Sequence, residues 1–241
     1  MSTHGSPGHI LITGASSGLG AALALAYARE GVRLSLAGRN AQRLEQIAQQ
    51  ANGDGAACSA KVVDVTDRDA MQDWVRSCDD DAPIDLVIAN AGISSSTRKA
   101  AGSYTASDAE VFATNVDGVV HTVEPALVRM LQRGHGQIAL MSSLASFRGF
   151  ADAPAYCASK AAVRFYGNAL RRAHQNDGIG VSVICPGFVR SPMTDANDFR
   201  MPMLMEADRA ADLIRRRLAQ NRRTIAFPLP MYIGVRLLAL F

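Results

Sequence analysis

Tyr156 and Lys160 stand four residues apart in the stretch Tyr156-Cys-Ala-Ser-Lys160. On a helix that spacing places both side chains on one face, one turn apart. A phenol with an ordinary pKa of about 10 is a poor proton donor or acceptor near neutrality. An ammonium beside it favours the phenolate and lowers that value. The pair therefore has the make-up of a general acid/base working near neutral pH. Read alone, it is more readily an aromatic helix residue followed by a solvated lysine. Other motifs at matching positions give it weight.

The chief of these is the turn Thr13-Gly14-Ala-Ser16-Ser17-Gly18-Leu19-Gly20. It follows a short apolar run, His9 to Thr13, fit for a buried parallel strand. It precedes a helical stretch predicted over Ala21 to Glu30, with Gly31 as its stop. Glycines let backbone approach a pyrophosphate, and the next helix offers unpaired N–H groups and a positive dipole end. Its position between strand and helix raises a motif that is weak by itself.

The elements that must position these groups alternate. Strands are predicted at Val32 to Ala37, Ala57 to Val63, Asp85 to Ala89, Gln137 to Met141, Val181 to Cys185 and Thr224 to Phe227. Helices are predicted at Ala41 to Ala51, Asp67 to Ser77, Asp108 to Arg133 and Pro154 to Gln175. The third of these reads as one long helix with little break. Strands alternating with helices imply a sheet covered on both faces. The expected architecture is an α/β, Rossmann-type, doubly wound, mainly parallel seven-stranded sheet in a single domain over residues 9–241. Residues 1–8 are polar and Gly/Ser-rich and are expected to be disordered.

Composition bounds the function. The chain has 241 residues, 48% of them hydrophobic, enough for one large core. A net charge of +3 with scattered arginines and no aromatic platform gives no sign of a nucleic-acid partner. Arg215-Arg216-Arg217 and Arg222-Arg223 read as a solvated helix face and its end. Cys58, Cys78, Cys157 and Cys185 form no CxxC pair and no metal-ligand spacing, so no metal is expected. They suit a reducing, cytoplasmic setting. No apolar run reaches the ~18 residues that cross a bilayer. The apolar end, Met231 to Phe241, reads as a short helix packed on the domain, on a partner subunit or on a membrane surface, with protein favoured.

In order along the chain come Thr13-Gly14-x-x-x-Gly18-x-Gly20, Asp64, Asn90-Ala91-Gly92, Asn115, Ser143, Tyr156-x-x-x-Lys160 and Pro186-Gly187. In this ordered set the chain resembles the short-chain dehydrogenase/reductase family over nearly its whole length. The resemblance implies that Tyr156 exchanges a proton with a carbonyl or alcohol oxygen. It also implies that Lys160 lowers the pKa of Tyr156 and holds the nicotinamide ribose. Ser143, thirteen residues before Tyr156, would bond the reacting oxygen. Ser142 is a weaker candidate by register, and Ser146 a substrate contact. Asn115 would hold a water linking Lys160 to solvent. Asn90, Ala91 and Gly92 would brace the sheet beside the cofactor, and Asp64, followed by Val65, would meet the adenine amino group. Pro186, Gly187, Val189 and Ser191 would cover the nicotinamide.

Cofactor choice follows from the end of the second strand. NAD sites usually place an Asp or Glu about twenty residues past the glycines to bind the ribose 2′-OH. Here the chain reads Ala37-Gly38-Arg39. Arg39 suits a 2′-phosphate and an adenine face, with Arg43 nearby to assist. NADP(H) is favoured, with NAD(H) the alternative.

Residues 188–205 form the expected lid, where Phe199, Met201, Met203, Leu204 and Met205 offer an adaptable lining for an apolar substrate. Packing of the lid on the domain explains them equally well. Ser94, Ser95, Arg98, Phe147, Arg148 and Phe150 are expected to flank the substrate by position, the two arginines chiefly as surface residues. The whole reads as an NADP(H)-dependent carbonyl/alcohol oxidoreductase. A catalytically silent nucleotide sensor and an epimerase or dehydratase are the competing classes. Family resemblance also implies a homodimer or homotetramer paired through the helices carrying Asn115 and Tyr156.

Overall fold

The computed structural model describes residues 7–94 and 106–239. Seven parallel strands form one sheet: β1 (His9–Thr13), β2 (Arg33–Gly38), β3 (Ala57–Val62), β4 (Leu86–Ala89), β5 (Gly136–Met141), β6 (Ile179–Pro186) and β7 (Thr224–Phe227). Their order is β3-β2-β1-β4-β5-β6-β7. Every pairing is parallel, so the expected "mainly parallel" sheet is wholly so.

Side chains alternate across a strand, and β1 shows the consequence. Ile10 and Ile12 enter one core with Leu34 and Leu36 of β2, under helices α1 (Gly18–Tyr27), α2 (Ala41–Gly53) and, further along, Ala207–Ala219. Leu11, between them, enters the opposite core with Val87 and Ile138, under α3 (Arg68–Asp81) and the helices before β5 and β6. A strand buried on both faces must read as a continuous apolar run, which is how β1, β4 and β6 read. Edge strand β3 is mostly exposed, and Lys61 there blunts its open edge.

The chain winds outward from β1 to β3, returns to β4 beside β1, and then winds the other way. Strand order therefore reverses between β1 and β4. At such a point the connections leave on opposite faces and open a crevice at the strands' carboxyl ends.

Three sequence expectations need correction. Helix α1 begins at Gly18, inside the glycine turn, and ends at Tyr27. The stretch expected as one helix from Asp108 is α4 (Asp108–Phe112), a single π-helical turn (Ala113–Asp117) and α5 (Gly118–Arg133). The segment without assigned structure after β6 contains α7 (Pro192–Asp195), following α6 (Pro154–Ala173) and β6 in the chain. A bridge between Val189 and Met205 pins the two ends of the segment that holds α7, and α8 (Ala207–Ala219) follows it. The apolar end forms α9 (Leu229–Leu238).

Candidate active site

A cleft of about 350 Å³ opens at the switch point. One wall is the glycine turn. Gly18 has φ +54, a left-handed conformation costly for other residues, and a Cβ on Gly20 would stand 2.2 Å from the Gly14 carbonyl oxygen. The turn is stapled from β4: Asn90 Nδ2 donates to the carbonyls of Thr13 (2.9 Å) and Gly14 (3.3 Å), and the amide of Asn90 donates to Thr13 Oγ1. Ser17, the N-cap of α1, makes no side-chain capping bond. The first amides of α1 therefore belong to residues lining the cleft: Gly18, Leu19 and Gly20. That arrangement fits a pyrophosphate, because unpaired N–H donors and the helix dipole favour an anion there.

The other end holds the proton-transfer groups. Tyr156 and Lys160 share one face of α6, with the Lys160 amine 5.8 Å from the phenol ring's centroid. Lys160 is 3% exposed, and its Nζ donates to the Met141 carbonyl at 3.0 Å. Asn115 is fully buried behind this pair. Its Oδ1 accepts from the Ile93 amide (2.8 Å), and its Nδ2 donates to the Ile93 carbonyl (2.9 Å) and to Ser159 Oγ (3.0 Å). Asn115 Oδ1 and Lys160 Nζ both face Gly92, whose Cβ position lies 3.1 Å from each. Ser143, at the end of β5, accepts from the Ala145 amide and also lies within hydrogen-bonding reach of the Tyr156 phenol.

Comparison with known proteins then assigns the chain. The family model described as short chain dehydrogenase matches residues 8–200. An oxidoreductase of Myxococcus xanthus is 37% identical over 228 residues, covering 94% of this chain and 90% of that protein. A short-chain dehydrogenase from Sphingobium yanoikuyae, solved with NADPH, aligns with a TM-score of 0.82 and 28% identity, covering 96% of this chain and 91% of that one. A short-chain dehydrogenase/reductase from Burkholderia phymatum, solved with NAD, aligns with a TM-score of 0.85 and 25% identity, covering 95% and 92%. The chain belongs to the short-chain dehydrogenase family. It is an oxidoreductase of the NAD(P)-dependent type that acts on CH–OH groups.

This short-chain dehydrogenase gathers the residues expected at the cofactor into one cleft, apart from Arg43, which does not line it. Gly14, Ser16, Ser17, Gly18, Leu19, Gly20, Arg39, Asp64, Val65, Asn90, Ala91, Gly92, Pro186, Gly187, Val189 and Ser191 all line it, with Tyr156, Lys160 and Ser143. Asn115 does not reach the cleft wall; its neighbour Thr114 does. Arg39 is engaged as well as available, with its guanidinium 3.7 Å from Asp64 Oδ2. Burial would raise the Asp64 carboxyl, but the two bonds from Thr66 to Oδ1 and the Arg39 charge outweigh it and hold the carboxyl low.

The electrostatics depart from expectation. Burial is the largest influence on Tyr156 and pushes its phenol up, with the Ser143 hydrogen bond pulling partly back. Lys160 does not lower the phenol as expected. Burial pushes its own amine down to about 8, and its proton is directed at the Met141 carbonyl. Ser142 donates to the Lys160 carbonyl at 2.8 Å, so it ties β5 to α6. Ser146 is buried. Ser191 caps α7, accepting from the Thr194 amide. Phe199 stacks edge-on against Phe188 at 5.9 Å, and Met203 is 55% exposed, so that part of residues 188–205 is only partly turned inward. Arg148 is exposed. Ser95 and Arg98 lie outside the described residues.

Sequence reading missed Ser159, which accepts from Asn115 and donates to the Tyr156 carbonyl at 2.8 Å. A hydroxyl directly before Lys160 was the available signal. It also missed Ile93 after β4, Thr114 in the π turn and Thr194 in α7, which line the cleft and carry no distinguishing residue type.

Proposed function

We propose that this short-chain dehydrogenase interconverts a carbonyl and an alcohol with NADP(H), using Tyr156 as the proton donor and acceptor. The observation that carries the reading is one cleft with the glycine turn and the free amides of α1 at one end and Tyr156 and Lys160 at the other. The glycine turn and amides would hold the pyrophosphate, Asp64 and Val65 the adenine, Lys160 the nicotinamide ribose, and Pro186 to Ser191 the nicotinamide. When bound, the cofactor supplies or takes the hydride. Tyr156 gives its proton to the carbonyl oxygen during reduction and takes it back during oxidation. Ser143 bonds the same oxygen and steadies the charge that develops on it. A phenol pushed up by burial stays protonated at neutral pH, which suits donation in the reductive direction. Asn115 and Lys160, both facing Gly92, would form the route by which the proton is restored.

Arg39, at the cleft rim, suits a 2′-phosphate, and NADP(H) is the favoured cofactor. The contact between Arg39 and Asp64 is the specific observation favouring NAD(H) as the second reading, because it partly neutralises that guanidinium. Residues 188–205 would form the substrate lid, with Met193 and the methionines beyond it suited to an apolar substrate. Exposed Phe112, Val128, Leu131 and Phe165 support pairing through the helical layer of α4, α5 and α6 as a homodimer or homotetramer; light scattering reads that mass. Four free cysteines fit a cytoplasmic setting.

The test is cofactor oxidation over a panel of ketones and aldehydes, with NADPH and NADH compared, in the native chain and in Tyr156→Phe. Turnover should favour NADPH and vanish in the variant, while NADPH binding followed by fluorescence stays nearly unchanged. Full activity in Tyr156→Phe removes the assignment of the acid. Tight NADPH binding without turnover on any substrate would instead support a sensor.

A further inference from the structure

Helix α9 turns a dense row of aliphatic side chains to solvent. Leu229 is 62% exposed, Leu237 58%, Leu238 53% and Ile233 49%. Leu229, Ile233 and Leu237 recur every four residues and so form one ridge along the helix. The opposite face is fixed to the domain. Val235 is buried, Tyr232 meets Phe147 edge-on at 5.3 Å, and the Met231 sulfur lies 2.8 Å from where a Gly187 Cβ would stand. The ridge therefore faces outward because its inner side is already engaged, and no described residue covers it.

Guanidinium groups cluster around this helix. Arg236 lies 5.7 Å from the Phe147 ring and 6.0 Å from that of Tyr232, Arg164 lies 4.4 Å from the same Phe147 ring, and Arg148 donates to the Leu238 carbonyl at 2.9 Å. None of the three forms an ion pair among the described residues, whereas Arg33, Arg39, Arg129, Arg133, Arg190 and Arg215 each meet a carboxylate. Burial lowers the pKa of Arg164, and the charge of Arg236 lowers it further, so these cations repel one another. A second copy docked on this ridge about a two-fold axis would bring the same unpaired arginines against themselves. An anionic lipid surface supplies both things the patch lacks: apolar volume for the ridge and phosphates for the arginines.

We propose that α9 is an in-plane membrane contact, with Leu229, Ile233 and Leu237 entering the acyl boundary of an anionic bilayer while Arg148 and Arg236 bind its lipid phosphates. At ten residues α9 lies on a bilayer without crossing it, and no described helix is long and apolar enough to cross one. The contact is independent of catalysis and is tested without substrate. The full chain is sedimented with vesicles of phosphatidylcholine alone and of phosphatidylcholine mixed with phosphatidylglycerol. It should bind the anionic vesicles, more weakly as salt rises. The double variant Arg148→Ser/Arg236→Ser should partition at least about tenfold more weakly. Ile233→Asp/Leu237→Asp should lose binding, with its circular dichroism and NADPH affinity unchanged as evidence of an intact fold. Failure of the folded native chain to bind anionic vesicles overturns the proposal. A drop in mass by light scattering for Ile233→Asp/Leu237→Asp, with vesicle binding retained, also overturns it and makes the ridge a subunit interface.

Discussion

A lysine enclosed at 3% exposure is an unusual neighbour for a phenol. Lys160 has given up most of its water, and one hydrogen bond to Met141 replaces little of it. Its pKa falls from 10.5 to about 8 because burial penalises the cation. The unfolded chain therefore holds this proton more tightly than the folded one. Between about pH 8 and 10.5 the unfolded state binds more protons at this site, so its contribution to stability rises with pH in that window. Below the folded value the cost of the buried charge is constant. Lys160→Met removes that charge, and at neutral pH the variant should be relatively more stable, apart from a fixed loss of the Met141 bond. The gap between variant and native urea midpoints should close as pH rises through the window. A gap that stays constant from pH 7 to 10.5 would contradict the burial argument. The same enclosure leaves Tyr156 protonated at neutral pH, a better starting point for reduction than the sequence pattern alone conveyed.

Helix α6 is aligned by a small clasp. The π turn at Ala113–Asp117 displaces Asn115 from regular helical register, and its amide reaches two elements, the backbone at Ile93 and the hydroxyl of Ser159. Ser159 in turn holds the Tyr156 carbonyl. A π bulge weakens a helix, and such bulges concentrate where a side chain must be re-aimed. Here it links the strand end at Gly92, the α4–α5 segment and the catalytic-candidate turn of α6. Ser159→Ala should leave Asn115 Nδ2 short of a partner and let α6 shift. Its kcat should fall about tenfold or more, with a smaller change in the Kd for NADPH. Reduced stability with kcat intact would make the hydroxyl purely structural. The asparagine itself was visible in the sequence by its place in the family-like order; what its side chain holds was not, because that partner lies twenty-two residues earlier.

For the whole molecule, the two main cores lie on opposite faces of one sheet, so the central strands carry both. Ile88 of β4 is fully buried beneath α1 and α8, beside the strands that form the crevice. Ile88→Ala should cost about 2–5 kcal/mol, because the neighbouring strands cannot collapse into the space left. Val62 on edge strand β3 is 54% exposed, and Val62→Ala should change stability by less than about 0.5 kcal/mol. Urea unfolding of both variants reads the difference directly; equal losses would mean that the sheet's centre is less rigid than its packing implies. The cleft needs this rigidity, since Asn90 can staple the glycine turn only if β1 and β4 hold their register.

The chain's own pattern was enough to place the sheet, both helical layers and the glycine turn, and the family resemblance named most of the residues that line the cleft. Apolar runs and glycine turns act over a few neighbouring residues, and a ligand site at strand ends inherits its order from theirs. The sequence could not set the balance of forces inside the site. That Lys160 would yield its proton more readily while Tyr156 holds its own, that Arg39 would lean on Asp64, and that α9 would leave a ridge uncovered are outcomes of enclosure and proximity. Desolvation depends on everything surrounding a group, and those surroundings come from segments far apart in the chain.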